Sequence, residues 1–202
     1  PLTAWVLDRG LEQCSAWRAD RSDLAVSVNV SATNLMDMGF VDLVRTLISR
    51  HRLAPSALIL EITETTIVRD FARCKRVIAQ LRDIGVAVSI DDFGAGFTSL
   101  AYLANLAVNE LKLDRTLISG INNAAHGRDM AVVRGTIELG HALGLRVVAE
   151  GIEDDAALAA LASIGCDVGQ GYFISKPVPA EDLTSWPCLV AEPARSAALR
   201  AS

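Results

Sequence analysis

An α/β architecture, a (β/α)8 TIM-like barrel rather than an open sheet, is predicted by three features of the 202-residue sequence. Six apolar, β-branched runs recur along the chain, and each finishes in polar residues. Segments with helical periodicity separate them, at the length of a strand-helix-strand crossover. The polar residues gather at the C-terminal ends of the runs, the rim at which such barrels carry their chemistry. Composition agrees, with 51% hydrophobic but only 5% aromatic residues. The apolar content is therefore mostly Ala, Val, Leu and Ile, the mix that fills buried parallel strands and the helices packed over them.

Taken in order, residues 2–19 read as a helix, so the chain enters in the middle of a βα unit and the opening strands of a barrel of eight are not in it. Strands follow in "LAVSVNVS" to Ser31, "LILEITE" to Glu64, "VAVSIDDFG" to Gly94, "NELKLD" to Asp114, "LRVVAEG" to Gly151 and "DVGQGYFI" to Ile174. "RDFARCKRVIAQLRDIG" and "DMAVVRGTIELGHALG" read as helices that stop at Gly85 and Gly144, since glycine suits a helix C-terminus. No G-x-G-x-x-G follows the first strand, which weakens a dinucleotide-binding open sheet. Residues 1–186 form one predicted domain lacking its N-terminal strands, and 187–202, with a proline and weak periodicity, a tail.

Several function classes are disfavoured at once. A net charge of -5 and an isoelectric point near 5.2 argue against a protein that coats DNA or RNA through a broad basic surface. No apolar run approaches a bilayer span and no signal peptide opens the chain, so a soluble, cytoplasmic domain without membrane contact is expected, whose parent could still be tethered. Cys14, Cys74, Cys166 and Cys188 lack C-x-x-C spacing and read as small core residues of a reduced protein. His51, His126 and His141 are equally isolated.

In a parallel barrel the strand ends converge, so Asn29, Glu61, Asp91, Asp92, Lys112, Asp114, Glu150 and Gln170 would crowd one mouth. Carboxylates held that close raise one another's pKa values unless a cation sits among them. Oxygen donors without His or Cys select hard ions such as Mg2+ or Mn2+, and such ions suit phosphodiester hydrolysis. Each residue also has a plain reading. Glu61 and Glu64 could be a surface pair, with Glu64 favouring the start of the next helix. Asn29 could tie down a loop, "DDFGAG" could be a turn, and Lys112 could pair with Asp114. An aldolase-like enzyme with Lys112 in a Schiff base is a further option for a barrel. Their coincidence at the same position of successive units is what a plain reading of each does not predict.

"VNVSATNL", "LEITET", "DDFGAGFTSLAYL", "LKLDRTLI", "VVAEGIED" and "GCDVGQGYFISKPVPAEDL" occur in the order and spacing of the signature segments of EAL domains, and the chain resembles that family from about Leu2 to Leu183. The resemblance implies a modified (β/α)8 barrel with one antiparallel strand that linearises cyclic di-GMP to 5'-pGpG with Mg2+ or Mn2+, in a site for two ions. By matching positions, Asn29, Glu61, Asp91 and Asp92 look like metal ligands. Lys112 resembles the lysine that helps activate water, Glu150 a further active-site glutamate, and Gln170, Glu153 and Asp114 residues that hold substrate or water. Glu64 resembles the glutamate bracing the loop "DFGAGFTS". Homodimers and flanking sensory or GGDEF domains are also implied. Phe97 stands where tyrosine is usual and Ala95 where threonine is frequent. The family's Glu-Ala-Leu strand, with a metal-binding glutamate and a nearby substrate-binding arginine, lies upstream of Pro1 by this alignment. A chain without it is expected to be poorly active, and a noncatalytic cyclic di-GMP receptor or interaction module is the alternative.

Overall fold

The computed structural model describes residues 2–19, 23–95, 100–121 and 127–183. Helix α1, Leu2–Trp17, leads into strand β1, Val26–Asn29. Then come α2 (Ala32–Leu35), α3 (Phe40–Arg50), β2 (Leu58–Thr63), α4 (Glu64–Arg69), α5 (Phe71–Asp83) and β3 (Ala87–Phe93). The second half holds α6 (Leu100–Leu103), β4 (Glu110–Leu113), α7 (Arg115–Ile118), α8 (Gly127–Ala142), β5 (Arg146–Ala149), α9 (Asp155–Ser163), β6 (Val168–Gly169) and α10 (Ala180–Leu183).

The six strands pair in sequence order and all in parallel. That order decides between the two α/β options. A doubly wound sheet reverses direction at a switch point, whereas right-handed crossovers that always step to the next neighbour curl the sheet one way, with helices on one face. The protein is six consecutive units of a TIM-like barrel, and among the described residues β1 and β6 are its two unclosed edges.

Sequence explains the local elements. In α5, Cys74, Val77, Ile78 and Leu81 repeat at helical spacing and are all buried. Asp70 caps this helix, accepting from Arg73 N at 3.0 Å. Helices α5 and α8 give way at Gly85 and Gly144, whose φ values of 88° and 74° are the left-handed geometry that glycine adopts without strain. On the strands, Leu60, Ile62, Val88, Ile90, Leu111, Leu113, Val147 and Ala149 join the helix residues in one core. Their alternate neighbours face the barrel interior. Cys14 and Cys74 are buried in that core and Cys166 packs against it, as their composition suggested, while Cys188 and the tail 187–202 lie outside the described residues.

Two expectations change. The sixth strand is predicted to reach Ile174 but ends at Gly169. A Cβ on Gly171 would sit 2.1 Å from Ile152 O, so the chain folds tightly against Ile152, accepting from its N–H at Gln170 O and donating to its carbonyl from Phe173 N. His51 and His141 are not isolated, since each places Nε2 against an aspartate, Asp8 at 2.8 Å and Asp167 at 2.9 Å. His126 lies outside the described residues. No helix among the described residues is long and apolar enough to cross a membrane.

Candidate active site

The register shows how the interior polar residues reach a common height. Glu61 of β2 is opposite Ser89 of β3, Ser89 opposite Glu110 of β4, and Glu110 opposite Arg146 of β5. Asp91 stands two positions beyond Ser89, Lys112 two beyond Glu110, and Glu150 four beyond Arg146. Strands in a barrel tilt and stagger, so side chains at one level along its axis come from progressively later register positions.

Lys112 is the centre of the result. Its Nζ lies 3.0 Å from Glu61 Oε1, 2.9 Å from Asp91 Oδ1 and 2.6 Å from Glu150 Oε1. Lys112 is 5% exposed and Glu61 8%. Burial is the largest single influence on the ammonium and works to neutralise it, but the bonds to Glu150, Asp91 and Glu61 together outweigh burial and hold it above its ordinary pKa. Lys112 therefore does not pair with Asp114. A lysine held charged in this way is also a poor amine nucleophile, which counts against the Schiff-base option.

Asp92 joins the cluster by breaking strand alternation. Successive side chains in a regular strand point to opposite faces, but Asp92 has φ 56° and the β3–β4 register shifts between Ile90 and Phe93. Aspartate is among the few residues that visit this left-handed region with modest strain. Oxygens of Asp91, Asp92 and Glu150 consequently lie within 4.8 Å of one another. Burial, then the charges of Asp91 and Asp114, raises the Asp92 carboxyl. Burial likewise raises Glu150, against the pull of Lys112 and with the push of Asp91 and Glu61. Three converging carboxylates with no His or Cys donor fit a hard divalent cation.

Glu64 is 4% exposed, and Gly94 N donates to its Oε2 at 3.3 Å. This is the geometry of a brace at the root of the β3–α6 loop; residues 96–99, which include Phe97, lie outside the described residues. Gly94 has φ 101°, and a Cβ there would come within 2.3 Å of Leu117 Cδ1. Gly94→Ala is expected to cost about 1–3 kcal/mol of stability, read by chemical denaturation.

The remaining expected residues are placed as follows. Asn29 is exposed on the edge strand β1, opposite Glu61 in register. It lines a separate cavity of about 570 Å3 with Thr63, Thr66 and Arg69. Asp114 caps α7, its Oδ1 accepting from Thr116 N at 2.8 Å. Glu150, Glu153 and Gln170 line a cavity of about 550 Å3 at the same rim. Sequence reasoning missed two other residues of that cavity, Arg115 and Lys176. Arg115 stood in plain view in "LKLDRTLI", directly after a strand-end aspartate.

A comparison of the whole chain decides its relationship, because residues 1–177 match the family model of the EAL domain. The chain belongs to the EAL domain family. Over 181 residues this EAL domain is 43% identical to the bifunctional diguanylate cyclase/cyclic di-GMP phosphodiesterase MucR of Pseudomonas aeruginosa, covering 89% of this chain and 26% of that protein. The chain thus spans about a quarter of MucR's length. It superposes on the PaMucR phosphodiesterase in complex with c-di-GMP with a TM-score of 0.84 at 41% identity, over 90% of this chain and 73% of that one. The EAL domain of Mycobacterium smegmatis DcpA gives a TM-score of 0.85 at 34% identity, over 92% and 83% of the two chains.

Proposed function

We propose that this EAL domain hydrolyses cyclic di-GMP to 5'-pGpG with Mg2+ or Mn2+, as the catalytic part of a longer cytoplasmic protein with sensory or GGDEF neighbours. The observation that carries the reading is the set of Asp91, Asp92 and Glu150 oxygens within 4.8 Å, with Lys112 bonded into it. MucR and the c-di-GMP complex of PaMucR supply the substrate class.

Asp91, Asp92 and Glu61 would hold the ions, with Asn29 contributing from the neighbouring strand and Glu150 facing the same space. When bound, such ions neutralise a phosphodiester and acidify a water near neutral pH. Lys112 touches Glu61, Asp91 and Glu150 and is held protonated, so it balances their charge and would stabilise negative charge at the attacking oxygen; it would accept a proton only if nearby metal lowered its pKa. Gln170, Glu153 and Asp114 stand on the rim to orient substrate and water. Glu64 accepts from Gly94 N and so holds the turn directly after Asp91 and Asp92.

A second reading is a receptor that binds cyclic di-GMP without cleaving it. What favours it is that Lys112 already balances Glu61, Asp91 and Glu150 within the protein, so the cluster does not need a metal to be charge-compensated. The test compares cyclic di-GMP hydrolysis in Mn2+ by this chain and by a version extended upstream by roughly 40 to 60 residues, the length of the missing strands and helix of a barrel. The extended protein is expected to turn over and the shorter one to be at least about 100-fold slower, the size of effect seen when one preorganised electrostatic group is lost. Equal activity in both would refute dependence on an upstream strand. Tight nucleotide binding in calorimetry with no product from either would establish the receptor.

A further inference from the structure

We infer that residues 172–183 form a strap across the open side of the barrel, and that helix α1 sets how firmly it closes over the cavity beside Glu150; only the effect on turnover rests on the phosphodiesterase reading. Strands β1 and β6 are the two unclosed edges among the described residues. Helix α1 packs on β1, with Gly10 so close that a Cβ there would lie 3.6 Å from Val26 Cγ2. After β6 the chain crosses to that same helix, where Trp17 Nε1 donates to the Ala180 carbonyl at 3.3 Å. Residues 163 positions apart thus join the two sides of the opening.

The strap is a wall of the cavity and buries little of itself. Tyr172, Ser175, Lys176, Val178 and Leu183 line the space of about 550 Å3 that begins at Glu150 and Gln170. Its near end is pinned, since Phe173 N donates to Ile152 O at 3.0 Å and Ser175 N to Gly171 O at 3.1 Å. Beyond Ser175 no residue up to Leu183 is buried, and Pro177 and Pro179 offer no amide to a hydrogen bond. A segment with few buried apolar contacts opens at a low free energy, so an anchor at its far end carries weight. Trp17 is such an anchor, and it belongs to α1, the helix through which any upstream chain joins the barrel. A displacement of α1 therefore shifts the cavity wall without touching Lys112 or the acids bonded to it, and the strap is the two-state element that connects them.

The test is residue-resolved amide hydrogen exchange of this chain and of its Trp17→Phe variant, which keeps a ring and loses the N–H. The amides of Lys176, Val178 and Ala180–Leu183 are expected to exchange about three- to tenfold faster, the effect of one neutral hydrogen bond on an opening equilibrium. Those of Phe173 and Ser175, and of β2, β3 and β4, should keep their rates. In whichever of the two proteins above turns over cyclic di-GMP, Trp17→Phe is expected to raise KM about threefold or more with kcat held within about twofold, because a loosened wall must be ordered on binding. Unchanged exchange beyond Ser175, or an equal acceleration throughout the chain, would overturn the strap. Faster exchange with an unchanged KM, or a loss confined to kcat, would overturn its link to the cavity and leave the phosphodiesterase reading intact. Should Trp17→Phe fail to fold, Trp17→Met, flexible and without a donor, carries the same comparison. Where neither protein turns over, the phosphodiesterase reading fails alone, and the calorimetric Kd for cyclic di-GMP replaces KM with the same expected rise; absence of binding as well overturns the link to the cavity.

Discussion

Lys112→Met is expected to unfold the divalent-free protein far more easily and to abolish turnover. Removing one member of a buried, paired set leaves the others uncompensated, typically at about 3–5 kcal/mol. Here three carboxylates, of Glu61, Asp91 and Glu150, would face one another with no cation between them. Partial protonation would soften the cost, since burial already raises Glu150. Added Mn2+ should restore much of the lost stability, because a divalent ion can take over the charge balance, but it should not restore kcat. Turnover is expected to fall at least about 1,000-fold and substrate affinity much less, as for a group that acts mainly on the transition state. Melting temperatures with and without Mn2+ would check the first half. An unchanged melting temperature without metal would show that the three acids do not depend on the lysine.

Asp91→Asn should have the opposite profile. The substitution keeps the shape and removes one charge, so Lys112 loses one of three partners while Asp92 and Glu150 lose a like-charged neighbour. Metal-free stability is expected to move by less than about 1 kcal/mol, because these two effects oppose each other. Mn2+ affinity should fall at least about 10- to 100-fold, and turnover about 100- to 1,000-fold with it. Titration of Mn2+ binding alongside kcat would test both. Full activity in Asp91→Asn would remove the cluster's claim to be a metal centre. Together the two substitutions separate a cation that stabilises the fold from an anion that recruits the metal.

Much of the architecture was legible in the chain. All six strands lie within the predicted runs, α5 and α8 stop at the glycines named for that purpose, and the family assignment followed from segments that remain adjacent to those strands. Those are local properties, set by alternation, helical spacing and the backbone freedom of glycine. The sixth strand was overestimated because "GYFI" has strand composition, while the close approach of Gly171 to Ile152 is a contact between distant points of the chain. Arg115 went unused because nothing near it in sequence shows that Gly151 leaves it a path and Glu153 a partner.

By itself the sequence determined the parallel α/β class, the chemistry of the donors, all oxygen with one lysine among them, and the edge of the barrel at which they stand. Only the tertiary structure decided who meets whom: that Lys112 bonds Glu61, Asp91 and Glu150 rather than Asp114, and that a left-handed Asp92 turns two consecutive carboxylates into one pocket. The reason is geometric. Alternation fixes which face of a strand a side chain occupies, but the stagger between strands fixes its height, and stagger is a property of the paired sheet and of no single segment.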